Sequence, residues 1–316
     1  MDASRLEAIV REHKRRAWSL AYRILGTAPG ADLVVHDALV EVAPGRPGPN
    51  ALGPALETHA ARLARERLRR RRQRGYTGPW LPGPVDTVRI VAHADAPDVA
   101  PPRARWSPLE SGSFGFLLAL ELLGPRQRAV AVLCDAFGRT EDEVARALGL
   151  DLDEVNAARR RALDVLERYE LGRAPPGPSL QVATVEVLGQ LLACLVAEDT
   201  GGLGALLAAD AEALGDGGGE VAAPRVPVRG PERIAALLVA LVGRDLSETR
   251  IDVRELNGLP ALVVRRDAPP PGHAARLVVR AELDLQGKVA QVHLVLAREK
   301  LAGLDAPDEA QGDRHS

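Results

Sequence analysis

The hydrophobic periodicity of this chain changes once, and that change constrains the fold class. Up to about residue 172 apolar residues recur every three or four positions, the spacing of helices that bury one face. From residue 249 onward, segments such as TRIDVRE (249–255) and VAQVHLVLA (289–297) alternate apolar and polar residues, as strands with one buried face do. The sequence therefore predicts helical domains followed by an α+β domain whose sheet carries helices on one side.

Two stretches rich in Pro and Gly divide the 316 residues into parts of domain size. We interpret 73–112 as a linker and 173–178 as a second, short linker. The predicted parts are an all-α domain at 1–72, a second all-α domain at 113–172, an α+β domain at 179–304 and a disordered tail at 305–316.

Within these parts the patterns predict individual elements. In the first part a helix ends at Gly26, a second covers roughly Ala31–Val42, residues 43–50 form a loop, and a third begins near Pro54. In the third part a long apolar helix runs from Leu180 to about Val196. The predicted strands are 249–255, 260–266, 275–285 and 289–297.

Charge is distributed unevenly along the chain. The net charge is −2, but residues 1–72 hold 14 basic and 8 acidic side chains, and residues 179–316 hold 14 and 20. Eight arginines lie between positions 62 and 74, enough to neutralise several phosphates. The alternative is a solvated helix end that complements its own dipole, for which one or two arginines would suffice. The DNA-binding candidates here are Arg62, Arg65, Arg69, Arg70, Arg71 and Arg72.

A helix-turn-helix is predicted in the second helical part. Thr140 and Glu143 form a capping-box pattern for a short helix, Gly149 supplies the turn, and Asp151 begins a second helix with Glu154 three residues later. The N-terminal side chains of such a second helix meet base edges in the major groove. The candidates are Asn156, Arg159, Arg160 and Arg161. Any two short helices joined by Gly give a similar pattern, so a purely structural helix pair is the alternative.

Several function classes find little support. Cys134 and Cys194 have neither disulfide-framework nor metal-ligand spacing, so we expect no metal and a cytoplasmic setting. No apolar run approaches the ~20 residues of a membrane helix, and the N-terminus lacks a signal core. DGGG (216–219) lacks the frame of a phosphate loop, and no cofactor is expected. His293 and Asp284 could form an acid/base pair, but a buried structural histidine is the commoner case, so we expect no enzyme.

Specific strings carry a family resemblance. AYRILGTAPGADLVVHDALVEV (21–42) resembles region 2 of small sigma-70 relatives, and residues 117–163 resemble their region 4. YTGPWLPGPV (76–85) resembles the linker signature of a subgroup with a SnoaL-like C-terminal extension. DGGGE (216–220), PVRGPERIAALLVAL (227–241), NGLPALVV (257–264) and VAQVHLVLAREKL (289–301) resemble that extension. The chain is thus similar to the extracytoplasmic-function sigma factors, which implies two all-α sigma domains followed by a conical-sheet domain.

The resemblance also implies partners and site residues. Core RNA polymerase would bind Asp32, Val35, His36 and Asp37. Promoter DNA would be read at its −10 element by the helix of 54–72 and at its −35 element by the helix of 152–166. The extension would regulate both domains through Asp216, Gly217, Gly218, Gly219 and Glu220, with Trp80 pinning the linker, and could hold a small ligand. Opposite charges lead us to expect that residues 179–316 contact residues 1–112 near Asp216–Glu220.

The sequence departs from the family pattern at four places. Leu39 and Val42 replace the aromatic residues that end the second helix, where stacking holds flipped bases. Leu33 stands where an acidic residue is usual. The second helical part is acidic, with Asp151, Asp153 and Glu154 near the expected phosphates. Glu220 stands where Lys is usual. A second hypothesis therefore stays open: a sigma-derived protein that does not open promoters and acts as an interaction or ligand-sensing regulator.

Overall fold

The computed structural model describes residues 3–45, 47–92, 101–170, 175–243, 249–269 and 273–304. The chain divides into two compact units. Of the described residues, the first unit comprises 3–75 and 87–170, and the second comprises 76–86 and 175–304. The tail predicted at 305–316 lies outside the described residues.

The first unit is helical. Its helices are α1 (Ala3–Leu25), α2 (Ala28–Val42), α3 (Pro49–Gln73), α4 (Thr87–Val91), α5 (Pro108–Gly112), α6 (Phe114–Leu120), α7 (Pro125–Ala131), α8 (Glu141–Leu148) and α9 (Leu152–Glu170). We call α1–α3 the first helical segment and α6–α9 the second. The helix α3 begins earlier than the expected start near Pro54, because Pro49 suits a first helical turn and Pro54 removes only one backbone hydrogen bond.

The stretch 73–112, interpreted as a linker from its Pro and Gly content, contains ordered structure. Two short helices, α4 and α5, lie within it, and Ser107 caps α5 through a capping box with Glu110. Ile90 and Trp106 are buried in the first unit, and Leu81 and Val85 are buried in the second. These apolar side chains, placed among the prolines, anchor the stretch. The Pro and Gly content on which the linker interpretation rested gives no information about their burial.

The second unit is an α+β domain. Its elements are α10 (Pro178–Val196), α11 (Thr200–Leu206), β1 (Leu207–Asp216), β2 (Val228–Arg229), α12 (Pro231–Leu238), β3 (Thr249–Leu256), β4 (Leu259–Arg266), β5 (Arg276–Leu283), β6 (Val289–Val295) and α13 (Arg298–Leu301). The strand order is β2-β1-β6-β5-β4-β3, with β1 and β6 parallel and the other pairs antiparallel. The predicted fold class, helical domains followed by α+β, is confirmed.

The two faces of the sheet are both buried but differ in polarity. Leu188 and Leu191 of α10 and Ile234 of α12 pack with strand residues such as Val279 and Leu294 in one apolar core. Because strand side chains alternate, the neighbours Arg280 and His293 project from the opposite face, where both are buried.

One expectation from the sequence was wrong for helix α10. We expected no apolar run long enough to cross a membrane, yet among the described residues this helix meets that test by length and composition. It also carries Leu188, Leu191 and Leu195 into the apolar core.

Candidate nucleic-acid and regulatory interfaces

Four of the six arginine candidates on α3 are exposed: Arg62, Arg69, Arg70 and Arg72. The side chains of Arg69 and Arg70 are 53% and 66% exposed and both hydrogen-bond Glu66, at 2.7–2.8 Å. These hydrogen bonds lower the pKa of Glu66 to about 2. Arg62 is also exposed. Together these side chains form a cationic surface that a phosphate backbone could approach.

Three of the six candidates, Arg65, Arg71 and Arg72, donate to backbone carbonyl oxygens, and exposed Arg72 does so at the edge of this group. Arg65 donates from Nη1 to the carbonyl oxygen of Leu148, at 3.1 Å. Arg71 donates to the carbonyl oxygen of Leu25 at 2.8 Å, and Arg72 to that of Glu121 at 2.7 Å. The arginine run therefore splits into a solvent-facing group and a group held within the first unit.

Glu121 binds two of these three arginines, Arg71 and Arg72. It forms ion pairs with Arg71 and with Arg128, whose side chain is fully buried. Burial alone would raise the pKa of Glu121, but the charges of Arg128 and Arg71 outweigh burial and hold it below its usual value. The carboxylate therefore stays ionised at neutral pH and binds both cations.

The helix-turn-helix geometry is as predicted. The backbone N–H of Glu143 donates to Thr140 Oγ1 at 3.2 Å, and that of Thr140 to Glu143 Oε2 at 2.8 Å. Gly149 ends α8 in the left-handed conformation, with φ of 62°. At the start of α9 the backbone N–H of Asp151 donates to Glu154 Oε2 at 3.2 Å.

The four recognition-helix candidates differ in their surroundings. Arg160 and Arg161 are exposed and line a shallow groove of about 450 Å³ with Asp164 and Glu167. Asn156 is half-buried. Arg159 donates from Nη2 to Asp135 Oδ1 at 2.5 Å and from Nε to Asp135 Oδ2 at 3.2 Å, and it also pairs with Glu141. These hydrogen bonds raise the pKa of Arg159, and they tie it to the protein.

The polymerase-binding candidates on α2 also differ. Asp32 is exposed and accepts hydrogen bonds from Trp18 Nε1 at 2.6 Å and from Arg89 Nη2 at 2.7 Å. The guanidinium of Arg89 lies 4.1 Å from the Trp18 ring centroid. Of the remaining candidates, His36 is exposed and Asp37 forms an ion pair with Arg67 at 2.6 Å. Val35 is only 7% exposed.

In the second unit, buried Asp216 binds the segment 76–86. Its carboxylate accepts hydrogen bonds from the backbone N–H of Leu81 at 2.7 Å and from the Tyr76 hydroxyl at 3.0 Å. It also forms an ion pair with Lys300, which donates to the carbonyl oxygen of Leu81 at 2.6 Å. Burial and the charge of Asp216 raise the pKa of Tyr76 to about 12. The Nζ of Lys300 lies 3.3 Å from the Trp80 ring centroid.

The glycines after Asp216 form the turn that shapes this site. Gly218 and Gly219 have φ of 64° and 85°, and the Gly218 N–H donates to Asp216 at 2.9 Å. A Cβ on Gly217 would lie 2.1 Å from the carbonyl oxygen of Val221. Glu220 is exposed. Glycine is therefore required here for backbone geometry, not for phosphate binding.

A second anchor holds the end of the same segment. Val85 and Asn257 exchange two hydrogen bonds of 3.0 Å, one through the Asn257 side chain and one through its backbone. Asp86 forms an ion pair with Arg254, with Nε to Oδ1 at 3.1 Å. Of the residues 1–112 expected to contact residues 179–316, the segment 76–86 does so beside Asp216 within the second unit. The charge-driven docking on the basic residues 1–72 stays a prediction.

Sequence reasoning missed Glu121, Lys300, Asn257 and Arg254. The Asn257–Gly258 pair is a strong hairpin signal, and Asn257 does adopt φ of 52°. That signal could have indicated a special turn but not its partner. The pairings of Glu121 with Arg71 and of Lys300 with Asp216 carry no local signal, because these partners lie 50 and 84 residues apart.

The acid/base pair considered for His293 and Asp284 does not form. Asp284 accepts backbone N–H groups of Gln286 and Lys288 at 2.8 and 2.9 Å, in the turn before β6. The carboxylate near His293 is Glu282, with Nδ1 to Oε1 at 3.6 Å. The N–H groups of the turn thus bind Asp284, and the carboxylate beside buried His293 is Glu282.

Comparisons with known proteins agree with this architecture. No protein-family profile matches the chain. The ECF RNA polymerase sigma factor SigJ of Mycobacterium tuberculosis is 32% identical over 249 residues, 77% of this chain and 74% of SigJ. The sigma factor SigG of the same species is 28% identical over 218 residues, 63% of this chain and 58% of SigG.

The fold comparison covers nearly the whole chain. The crystal structure of M. tuberculosis SigJ matches with a TM-score of 0.67 and 26% identity, covering 97% of this chain and all of that one. The match includes both the helical part and the α+β part, so the two agree in architecture as well as in sequence. The chain belongs to the extracytoplasmic-function family of RNA polymerase sigma factors.

Proposed function

We propose that this sigma factor binds core RNA polymerase through the exposed face of α2 and promoter DNA through α3 and α9. The observation that carries the proposal is the solvent-facing cationic surface of Arg62, Arg69 and Arg70. It lies on the helix that, by family resemblance, reads the −10 element. The helix α9, with exposed Arg160 and Arg161, would read the −35 element. This activity belongs in the cytoplasm, and it needs no catalytic residue.

A salt titration of DNA binding tests the cationic surface. The Arg69→Ala/Arg70→Ala variant should weaken holoenzyme binding to a promoter fragment and reduce the slope of log K against log [salt] by roughly 1.8. Arg233→Ala, which removes an exposed arginine from α12, is the control and should change neither quantity. An unchanged slope in the double variant would exclude these arginines from the DNA interface.

A second candidate is a sigma-derived regulator that does not open promoters. It is favoured by Val42, which is buried, and Leu39, which is half-buried, at the end of α2. Neither side chain offers the planar surface on which a flipped base stacks.

Run-off transcription on two templates separates the candidates. A sigma factor that melts DNA should support transcription with core polymerase from a duplex promoter. One that binds without melting should work only on a template with a premelted −10 bubble. Activity on neither template would refute the proposed function.

We further propose that the second unit regulates the first. The support is the buried anchoring of segment 76–86 by Asp216 and Lys300, because this segment lies in sequence between the two DNA-reading segments. A small ligand is the proposed signal. Buried Arg280 and His293, on the sheet face opposite the apolar core, are polar groups that such a ligand could engage.

A further inference from the structure

A groove of about 440 Å³ lies between α3 and α8 within the first unit. One wall consists of residues between 58 and 66 of α3, and the other consists of residues 146–149 at the end of α8. Arg62 and Arg65 line the groove from α3, and Arg146 lines it from α8. Two helices therefore supply three guanidinium groups to one concave surface.

These three arginines differ in their partners from the arginines farther along α3. Each arginine between positions 67 and 72 forms an ion pair with a carboxylate. In the part of the chain that the structure describes, Arg62, Arg65 and Arg146 form none. Arg65 and Arg146 each donate to a backbone carbonyl oxygen instead, at 3.1 and 3.2 Å. The described residues thus give the three cations of the groove no counter-ion.

The cations around this groove also repel one another. Burial lowers the pKa of Arg65, and the like charges of Arg126 and Arg62 lower it further. The acidic groups nearby, Glu66 and Glu154, oppose this effect, but each already has an arginine partner of its own. A bound anion would relieve the repulsion, because an opposite charge stabilises each guanidinium.

The arrangement of the donors suits linked phosphate groups. Guanidinium groups bind phosphate oxygens through planar pairs of N–H donors. Arg62 and Arg65 are three residues apart and so lie side by side on α3, whereas Arg146 comes from α8. A chain of linked phosphates could bind all three, and the Thr58 hydroxyl adds another donor. The volume of the groove is within the range of small-ligand sites.

The end of α8 contributes an opposing charge to the groove. The carbonyl end of a helix is unfavourable for an anion. Arg65 covers this end, because it donates to the carbonyl oxygen of Leu148. It does so from Nη1, which leaves Nε and Nη2 as donors to a phosphate.

We propose that this groove binds a small oligophosphate, either inorganic or the polyphosphate chain of a nucleotide. Arg62 and Arg65 of α3 and Arg146 of α8 bind its oxygens. A small ligand fits better than a DNA backbone, because half-buried Arg65 lines a groove between helices and not an open surface. The site goes beyond the proposed function, since it needs neither promoter nor polymerase. Arg62 also belongs to the cationic surface assigned to DNA, so the test uses the free protein without DNA.

Isothermal titration calorimetry on the full chain tests the site. Tripolyphosphate, GTP and orthophosphate are the separate probes, at constant ionic strength and without divalent cations. The parent chain should bind tripolyphosphate at least about tenfold more tightly than orthophosphate, because a single phosphate leaves at least one guanidinium unbound. Tighter binding of GTP than of tripolyphosphate would assign the site to nucleotides. Equal or weaker binding of GTP would assign it to the inorganic chain.

Two substitutions test the contribution of each helix. Arg62→Gln and Arg146→Gln should each weaken tripolyphosphate binding about tenfold or more, the effect of losing a hydrogen bond to a charged group. Both side chains are exposed and form no ion pair among the described residues, so the thermal unfolding midpoint without ligand should stay unchanged. Arg168→Gln removes an exposed arginine of α9 that does not line the groove. This matched control should bind as the parent chain does.

Several results would overturn the site. Equal affinity for orthophosphate and tripolyphosphate would show that linked phosphates are not recognised. Unchanged affinity in Arg146→Gln, or an equal loss in Arg168→Gln, would place the bound anion elsewhere. No binding of tripolyphosphate would exclude the site, and weaker promoter binding by Arg146→Gln would then assign the groove to DNA. Failure of the parent chain to bind promoter DNA would refute the proposed function and leave the oligophosphate site standing.

Discussion

Glu121 in the first unit and Asp216 in the second are both buried carboxylates that hold distant parts of the chain, but they use different partners. Glu121 is surrounded by Arg71, Arg72 and Arg128. Asp216 binds one lysine, one hydroxyl and two backbone N–H groups. Backbone donors are fixed by the fold, whereas arginine side chains can turn to another anion. The contrast suggests a permanent anchor at Asp216 and a releasable contact at Glu121.

The largest expected loss of stability follows from a substitution at Asp216, the permanent anchor. Asp216→Asn leaves Lys300, 3% exposed, without its carboxylate and should cost about 3–5 kcal/mol in the free energy of unfolding of the second unit. Urea denaturation measures this loss, and hydrogen exchange of residues 76–86 should rise with it. Asp210→Asn, an exposed site on the same strand β1, is the matched control. A small loss at Asp216 would show that the anchor is not held by charge.

A smaller loss in the free energy of unfolding is expected for a substitution at Glu121. Glu121→Gln keeps an oxygen that accepts from arginine, so it should cost about 1.5–3 kcal/mol, the range for hydrogen bonds to charged groups. The midpoint of urea unfolding of the first unit gives the value, and Glu66→Gln should leave that midpoint unchanged. If Glu121→Gln proves more damaging than Asp216→Asn, the contrast between the two carboxylates is reversed.

Acid should weaken the Glu121 contact in a defined direction. Arg128 of α7 and Arg71 of α3 outweigh burial and hold the pKa of this carboxylate below its usual value, and Arg72 lies 3.9 Å from it. Its ion pairs therefore contribute fully above the unfolded-state pKa of about 4.3 and are lost as pH falls through the lower folded-state value. The stability difference between the parent chain and Glu121→Gln, measured from pH 7 to 2, should shrink over this window. A constant difference would contradict the assignment.

The smallest effect is expected at the edge of the anchor. Tyr76→Phe removes one hydrogen bond to Asp216 and should cost about 1 kcal/mol, because Lys300 and two backbone N–H groups remain. Hydrogen exchange should rise at the start of segment 76–86 more than at Val85, which Asn257 holds independently. Uniform release of the whole segment would mean that its two anchors act as one.

Local patterns predicted the elements better than their partners. Strands β3 and β6 follow from alternation, β4 and β5 follow from their strand-like apolar runs, and the capping box at Thr140 and Glu143 follows from spacing. The strand β1 was missed because LAADAEALGD is rich in alanine, which favours helices.

The candidate DNA-binding residues were likewise predictable from the sequence only in part. The arginine run was visible in the sequence, but its division into solvent-facing and protein-bound halves was not. That division depends on Glu121, 49 residues from Arg72. Spacing along a chain carries no information about pairs formed by tertiary packing.

The path of the chain between the two units constrains how such a protein can change in evolution. Residues 76–86 belong to the second unit although the residues on either side of them belong to the first. Cutting the chain after the second helical segment would therefore leave Leu81 and Val85 without the surface that buries them. The extension is not a cassette that one recombination event could add or delete. A lineage that lost this extension would also need substitutions among the eleven residues 76–86. The segment 76–86 and the extension must therefore be inherited together.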